Sequence, residues 1–438
     1  MPNLTSQTVN VFRHRIPPEA LPKTFAEAIS VAKHLGYGYL WIDSLCILQD
    51  SEEDWANESS LMASVYGEAD LNIAATAAED ASVGCFLKRK NTWRCQVRHP
   101  SRDNVLCEIF PSHRLAPRRD RLAARAWVVQ ERYLSRRTLH FAEEQVFWEC
   151  GGVTACETFP MGHPFDTGDL GECAFDLRRQ PLTSRSWSGI VSRYSRGDLT
   201  YVTDKLVAVA GLARIIQRSS NDDYIAGMWK DGLETQLLWA VDPGHVGTRI
   251  IPQIAPTWSW ASLHGPIEPA SHRRKWQRKL CIGVQGLRVR YATADQFGGA
   301  AEATLRLRCD GLFRGIIDGE EVGYKIMKLG TPSAVRMGIR YDCLERWAGM
   351  KLANVFALPI RMFKVGLGSS SETEGLLLEP TGNRRGEYRR IGRFYNQDCA
   401  WFTKERSAAN LIVLKRTSHF AEVAVDADGE TRNYIDLV

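Results

Sequence analysis

The stretch Tyr39-Leu-Trp-Ile-Asp-Ser-Leu-Cys-Ile-Leu-Gln-Asp50 decides how the first third of this chain is read. Its first five residues are a nearly continuous apolar run closed by an aspartate, the pattern of a strand buried on both faces. Upstream, Phe25, Ala28, Ile29, Ala32 and Leu35 recur at helical spacing. Thr24 with Glu27 makes a capping box and Gly36 supplies a stop, so a helix is expected over Thr24–Leu35. Downstream, Ser51 and Asp54 make a second capping box, ahead of a helix whose stripe is Trp55, Ser59, Met62 and Tyr66. Leu71–Thr76 reads as a second strand. Helix, strand, helix, strand at this spacing predicts an α/β domain with a parallel sheet.

Working outward, Cys95–His99 and Val105–Phe110 are strand candidates, and Arg121–Tyr133 returns to helical character. Thr138–Phe141 and Gln145–Glu149 read as a hairpin. A Gly/Pro/Asp-rich stretch, Gly151–Gly171, marks a boundary or large loop. Asp204–Gln217 is a strongly apolar helix, and Tyr224–Ala240 contains another. Beyond Trp260 the chain turns strand-like at Leu280–Tyr291, Ala303–Leu312, Leu376–Leu378, Leu411–Leu414 and Ala421–Val425. Gly366–Gly375 reads as a flexible loop, with no phosphate-cradle pattern. The expected organisation is an α/β domain at 1–150, a mainly helical region at 151–265 and a β-rich region at 266–438.

At 438 residues the chain can hold two or three cores, at about 150 residues per domain. With 44% hydrophobic and 24% charged residues it has globular composition. A net charge of +5 is too small to argue for nucleic acid. The basic clusters Lys88–Lys90, Arg114–Arg125, Arg273–Lys279 and Arg384–Arg393 lack any nucleic-acid-binding signature and are expected to be solvated surface. The N-terminal stretch has no apolar signal-peptide core, and no window reaches the roughly 18 apolar residues of a membrane span. The 11 cysteines are dispersed without a CxxC pair, as for thiols in a reducing compartment. A cytoplasmic protein is expected. Neither a P-loop, GxGxxG, HExxH or GxSxG motif nor a metal-ligand cluster is present, so no cofactor or metal is expected.

Several of these segments, in order, closely resemble the fungal heterokaryon-incompatibility (HET) domain family. They are Leu21-Pro-Lys-Thr-Phe-Ala-Glu-Ala-Ile29, the stretch from Tyr39 to Asp50, Asp54-Trp55, Met62 through Tyr66, and Asn72-Ile-Ala-Ala-Thr76. Arg125-Ala-Trp-Val-Val-Gln-Glu-Arg132 and Phe147-Trp-Glu-Cys150 complete the set. Tyr194-Ser195, Asp204-Lys205-Leu206, Ala226-Gly-Met-Trp229, Leu237-Leu-Trp239, Pro256-Thr-Trp-Ser-Trp-Ala-Ser262 and Tyr388-Arg-Arg-Ile-Gly392 resemble the region that follows the domain in such proteins. The resemblance implies a TIR-like, flavodoxin-like parallel sheet. One feature departs from the family pattern: the opening Leu-Ser-Tyr/His-x-Trp-Gly strand motif has no match in the twenty residues before Leu21, where Thr8–Phe12 is the substitute strand.

Asp43 ends the expected strand, where ligands gather in open α/β sheets. With Gln49 and Asp50 it would form polar walls of a cleft, or it would simply cap a turn. Arg125, Gln130 and Glu131 would contribute from the following helix, as catalytic groups or as a structural ion-pair clamp. Trp41, Cys46, Trp127, His140 and Trp148 would bind substrate; Cys46 is a nucleophile only if the fold brings it a base, and is otherwise a structural thiol. Thirteen tryptophans are the most unusual compositional feature. Those in the family segments are core residues, or they converge on a cavity for a bulky apolar ligand.

Two functions follow. A cofactor-free enzyme of fungal secondary metabolism, closing rings in an apolar intermediate by a Diels–Alder type reaction, needs only shape and a few polar groups; positioning alone contributes roughly 7–11 kcal/mol. The missing opening motif favours this reading, with an apolar small molecule as partner. The resemblance itself implies an incompatibility effector in non-self recognition and programmed cell death, with TIR-like NAD cleavage as its chemistry and another incompatibility protein as partner.

Overall fold

In a computed structural model of the protein, the described residues are 2–88, 95–98, 106–109, 122–162, 182–270, 278–321, 324–328, 334–343, 352–364, 371–396, 419–425 and 431–438. The expected strand at Leu411–Leu414, most of the three basic clusters before residue 280, and the start of the Gly366–Gly375 loop lie outside them. The chain forms two compact units, Met1–Leu182 and Thr183–Val438.

The first unit is mixed α/β. Its helices are α1 (Val9–His14), α2 (Lys23–His34), the single turn α3 (Asp43–Cys46), α4 (Glu52–Glu68) and α5 (Trp127–Leu134). Its sheet runs β1 (Asn72–Ala74), β4 (Arg137–Phe141), β5 (Val146–Cys150), β6 (Thr154–Cys156), while β2 (Cys95–Arg98) and β3 (Leu106–Ile109) pair separately. β1 lies parallel to β4, in register Asn72 with Thr138 and Ala74 with His140; the remaining pairs are antiparallel. One parallel pair is thus what the described residues show of the expected parallel sheet.

Three local expectations change. Thr8–Phe12 is not a strand: the segment enters α1. Tyr39–Ile42 joins no sheet among the described residues, and Asp43 opens a helical turn in which Ile42 accepts from the Leu45 and Cys46 N–H groups. Leu40, Trp41 and Ile42 are half-buried in a cleft wall, while Tyr39 is exposed. The Thr24/Glu27 pair does not cap α2 either. Thr24 Oγ1 accepts from Gly84 N–H at 3.0 Å, and Glu27 Oε2 accepts from Cys85 and Phe86 N–H at 2.6 and 2.9 Å. The capping residues instead fasten a distant loop to the helix. At the start of α4 the expectation holds in part: Ser51 Oγ accepts from Asp54 N–H at 3.2 Å, while Asp54 Oδ2 reaches back to Leu48 N–H at 2.7 Å.

The second unit begins with α6 (Trp187–Tyr194), α7 (Val207–Ser220) and the short α8 (Leu233–Gln236), then becomes an eleven-stranded sheet. Six strands close on themselves by antiparallel pairing, in the order Phe313–Glu321, Tyr324–Lys328, Ala334–Tyr341, Glu387–Asn396, Ser371–Pro380, Leu352–Lys364 and back to the first. Closure removes the open edges that would invite association. The interior is filled by Phe313, Met337, Val355, Leu377, Ile391 and Phe394 among others, as a small barrel requires. Gly375 is needed where two of these strands approach: a Cβ there would lie 2.2 Å from the Leu358 carbonyl oxygen. The 371–375 part of the expected loop is therefore strand.

The basic run Arg384–Arg393 is exposed at Arg384 and Arg385 but turns inward by Arg390. Arg390 is fully buried, its guanidinium stacked 3.4 Å from the Trp239 ring centroid. It donates to the Leu237 and Trp239 carbonyls at 2.6 Å each and to both Asp342 oxygens at 3.1 and 3.2 Å. Arg249 donates to Asp342 as well, at 3.1 Å. Burial lowers the Arg390 pKa to about 10 against the opposing pull of Asp342. Arg393 pairs with Glu374 at 2.7 Å. A buried cation of this kind is tolerated because its planar fork is satisfied on all sides. Arg390→Lys keeps the charge but loses the fork and the stack, and Arg390→Met leaves Asp342 without its buried partner. Both are expected to cost about 3–5 kcal/mol in urea unfolding, and a lysine variant as stable as wild type would show that charge alone suffices.

Candidate functional site

A cleft of about 600 Å³ opens in the first unit, walled by α2, the Tyr37–Asp43 segment, the end of α4, β1 and the start of α5. Phe25, Ala28 and Ala32 project from one face of α2, so the apolar stripe read from the sequence lines this cleft. Trp41 and Tyr66 meet edge to face across it, with ring centroids 5.9 Å apart. Asp43, Arg125, Glu131, Arg132, Thr76 and His140 supply its polar groups.

Glu131 carries the perturbed carboxyl of the cleft. Burial pushes its carboxyl up to about 7; Arg125 opposes the shift, Asp43 adds to it, and a hydrogen bond with the Tyr66 side chain opposes it. Tyr66 is pushed up in turn, first by burial and then by the charges of Glu131 and Asp43. A carboxyl group that titrates near neutrality can both donate and accept a proton, the property that general acid–base catalysis uses.

Deeper lies a buried chain of polar groups. Thr76 Oγ1 and His140 Nδ1 are 3.1 Å apart, His140 Nε2 and Glu149 Oε2 are 3.0 Å apart, and Arg132 donates to the same Glu149 oxygen at 3.0 Å. Thr76, His140 and Glu149 are each at least 95% buried. The Glu149 oxygen, accepting from Arg132, sets the ring so that Nε2 carries a proton; Nδ1 then accepts from the Thr76 hydroxyl. The parallel register of β1 with β4 sets Ala74 beside His140, and Thr76, two residues past the end of β1, turns back to reach the ring.

Of the residues expected at a site, Trp41, Asp43, Arg125, Glu131 and His140 come together in the cleft. Six others do not line it. Asp50 accepts from the Ser6 N–H at 3.0 Å and its hydroxyl at 2.6 Å, and Gln49 N–H donates to the Leu4 carbonyl at 2.8 Å, so both anchor the N-terminal segment. The Cys46 thiol is held above its usual value, mainly by burial, which leaves it a poor nucleophile. Gln130 is buried, while Trp127 is half-buried outside the cleft. Trp148 sits opposite Leu139 on the sheet face away from Phe147 and Glu149, as strand alternation dictates. Tyr66, Thr76, Arg132 and Glu149 were not singled out as site residues. The signal for Glu149 was present: it occupies the same alternating position as Phe147, so an acid points into a core.

Residues 3–131 match the family model described as Heterokaryon incompatibility protein (HET). The chain carries a HET domain. The match takes in Asp43, Tyr66 and Arg125 and ends on Glu131; His140 and Glu149 lie beyond it. Neither a curated protein nor a solved structure matches the chain. Among the described residues, no helix is long and apolar enough to cross a membrane, and no group of three or more His, Cys, Asp and Glu is arranged to hold a metal ion.

Two measurements test this electrostatic picture of the HET domain. Glu149→Ala removes the carboxylate that Arg132 and His140 share and is expected to cost about 3–5 kcal/mol of stability; a loss below about 1 kcal/mol would dismiss the chain as a structural element. Glu131 has a folded pKa raised above its unfolded value, so its stability contribution is complete below pH about 4.5 and is lost as pH rises through about 7. Glu131→Gln removes that loss. Thermal melts should place variant and wild type together at pH 5, with the variant ahead by about 1–3 kcal/mol at pH 8.

Proposed function

We propose that this protein is an incompatibility effector whose HET domain acts by acid–base chemistry on a small molecule held in the cleft. The observation that carries the reading is Glu131, a carboxyl raised to about 7 beside Tyr66, Arg125 and Asp43 at the wall of a cavity large enough for a metabolite. The apolar wall from Phe25 to Trp41 takes a planar or aliphatic portion of the ligand. Arg125 holds an anionic or carbonyl oxygen. Glu131 transfers the proton, a role worth about 10²–10⁴-fold in rate.

Two carboxyl groups of unlike environment at one cleft suit cleavage of a glycosidic bond, where one protonates the leaving group and the other faces the developing oxocarbenium ion. In NAD the nicotinamide nitrogen is quaternary and leaves as the neutral base by taking the C–N electron pair, with no proton needed. There the exposed Asp43 faces the developing oxocarbenium ion and Glu131, in its ionised form, takes the proton of the attacking water. The N-glycosidic bond of NAD is the substrate to test first, since its loss would starve a fused cell. Tryptophans converging on the cavity would have suited the bulky apolar substrate of the ring-closing reading. Trp41 lines it, Trp127 and Trp148 do not, and nothing in the cleft favours that reading over the effector.

Inducible expression in a filamentous fungal host, following growth and cellular NAD in the same cultures, decides between them. Wild type is expected to deplete NAD and then arrest growth, with Glu131→Gln and Tyr66→Phe abolishing both effects while accumulating to equal levels. Arrest without NAD loss that still depends on Glu131 would move the substrate elsewhere. Arrest by Glu131→Gln at the wild-type rate would remove the cleft from the mechanism, and healthy growth with a ring-closed metabolite would overturn the effector reading.

A further inference from the structure

The second unit holds a cavity of its own, about 740 Å³, formed within residues 184–270. Its floor includes three buried indoles, Trp187, Trp239 and Trp260. Their N–H groups are already used. Trp187 and Trp260 both donate to the Gly227 carbonyl, at 2.8 and 2.7 Å, and Trp239 donates to the Trp258 carbonyl at 2.8 Å. Gly227 makes this convergence feasible: its φ is +95°, and a Cβ would come within 3.0 Å of Trp260 Nε1. The floor therefore offers aromatic carbon surface and no spare donors, which selects for a ring and against a polar guest.

Charge narrows the class further. One face of Trp239 carries the Arg390 guanidinium, and the Lys205 ammonium group lies 5.3 Å from the Trp260 ring centroid. Two of the three π-systems thus already satisfy a cation, and a second cation stacked on them would be repelled. The rim adds Arg185 and Asp231, both exposed and neither with an ion-pair or side-chain hydrogen-bond partner among the described residues, together with the Thr235 side chain. A guanidinium with no partner is a fork for a carboxylate, and an unpaired carboxylate accepts from a hydroxyl.

We propose that this cavity is a binding site for a planar aromatic carboxylic acid bearing a hydroxyl group, its ring on the indole floor, its carboxylate on Arg185 and its hydroxyl toward Asp231. The site belongs to the second unit and is independent of the HET-domain chemistry.

Isothermal titration calorimetry of the full chain with 6-hydroxy-2-naphthoate and, as its cationic counterpart, 2-naphthylmethylammonium provides the test. The acid is expected to bind saturably at one site, and the ammonium compound about tenfold more weakly or not at all. Arg185→Ala should weaken the acid by about tenfold, the scale of one charged hydrogen bond. Thr235→Trp, which fills the cavity, should abolish binding, while Glu131→Gln should leave it unchanged. Should Thr235→Trp fail to fold by its thermal melt, the surface variant Arg185→Ala and the charge preference decide alone. Absence of binding at millimolar ligand, equal binding of the two probes, indifference to Arg185→Ala, or loss in Glu131→Gln would each overturn the proposal.

Discussion

Three residues of parallel pairing hold the HET-domain site together. Asn72–Ala74 lies against Thr138–His140, joining parts of the chain more than sixty positions apart. Parallel pairing needs a crossover connection, and here α5 enters β4 directly, so the pairing that sets β4 also fixes the helix bearing Glu131 and Arg132. The same register puts Ala74 beside His140, with Thr76 just beyond it, and the antiparallel β4–β5 pairing brings His140 within reach of Glu149. Direct packing of α5 on α4 and the Tyr66–Glu131 hydrogen bond complete the arrangement.

The two units handle buried charge differently. In the second, Arg390 and Asp342 are wholly enclosed and every direction of the guanidinium fork is met, a structural use of charge that leaves nothing for chemistry. In the first unit the buried Glu149 cluster joins Arg132, His140 and Thr76 but leaves Glu149 Oε1 and Arg132 Nε without a hydrogen bond. Glu131 is the contrast. Its surroundings oppose one another, with burial and Asp43 raising its pKa while Arg125 and the Tyr66 hydrogen bond lower it, and the outcome falls near neutrality. Perturbation by competing influences at the wall of a cleft is what the proposed proton-transfer role rests on.

Aromatic side chains divide along similar lines. Trp41 meets Tyr66 at the cleft, where it shapes a surface. Trp187, Trp229 and Tyr224 pack edge to face with one another in the second unit, with centroid separations of 5.2–5.8 Å. There the abundance of tryptophan is mainly a matter of core, with Trp187, Trp239 and Trp260 also lining the second unit's cavity.

The sequence alone determined the helices α2 and α4, the hairpin of β4 and β5, and the β-rich character of the last third, because each rests on local periodicity and turn chemistry. It also carried the HET resemblance and five of the residues that meet in the cleft. Only the tertiary structure decided the rest. Tyr39–Asp43 is too apolar for its periodicity to separate strand from cleft wall, and pairing settled it. Gln49, Asp50 and the Thr24/Glu27 pair carry polar groups that any nearby backbone N–H can claim, so long-range packing chose their partners. Arg390 is chemically the same residue as its solvated neighbours in sequence; strand alternation and barrel closure put it inside. The cleft itself depends on contacts between residues that no local spacing relates, and so the pKa of Glu131 is a property of the fold.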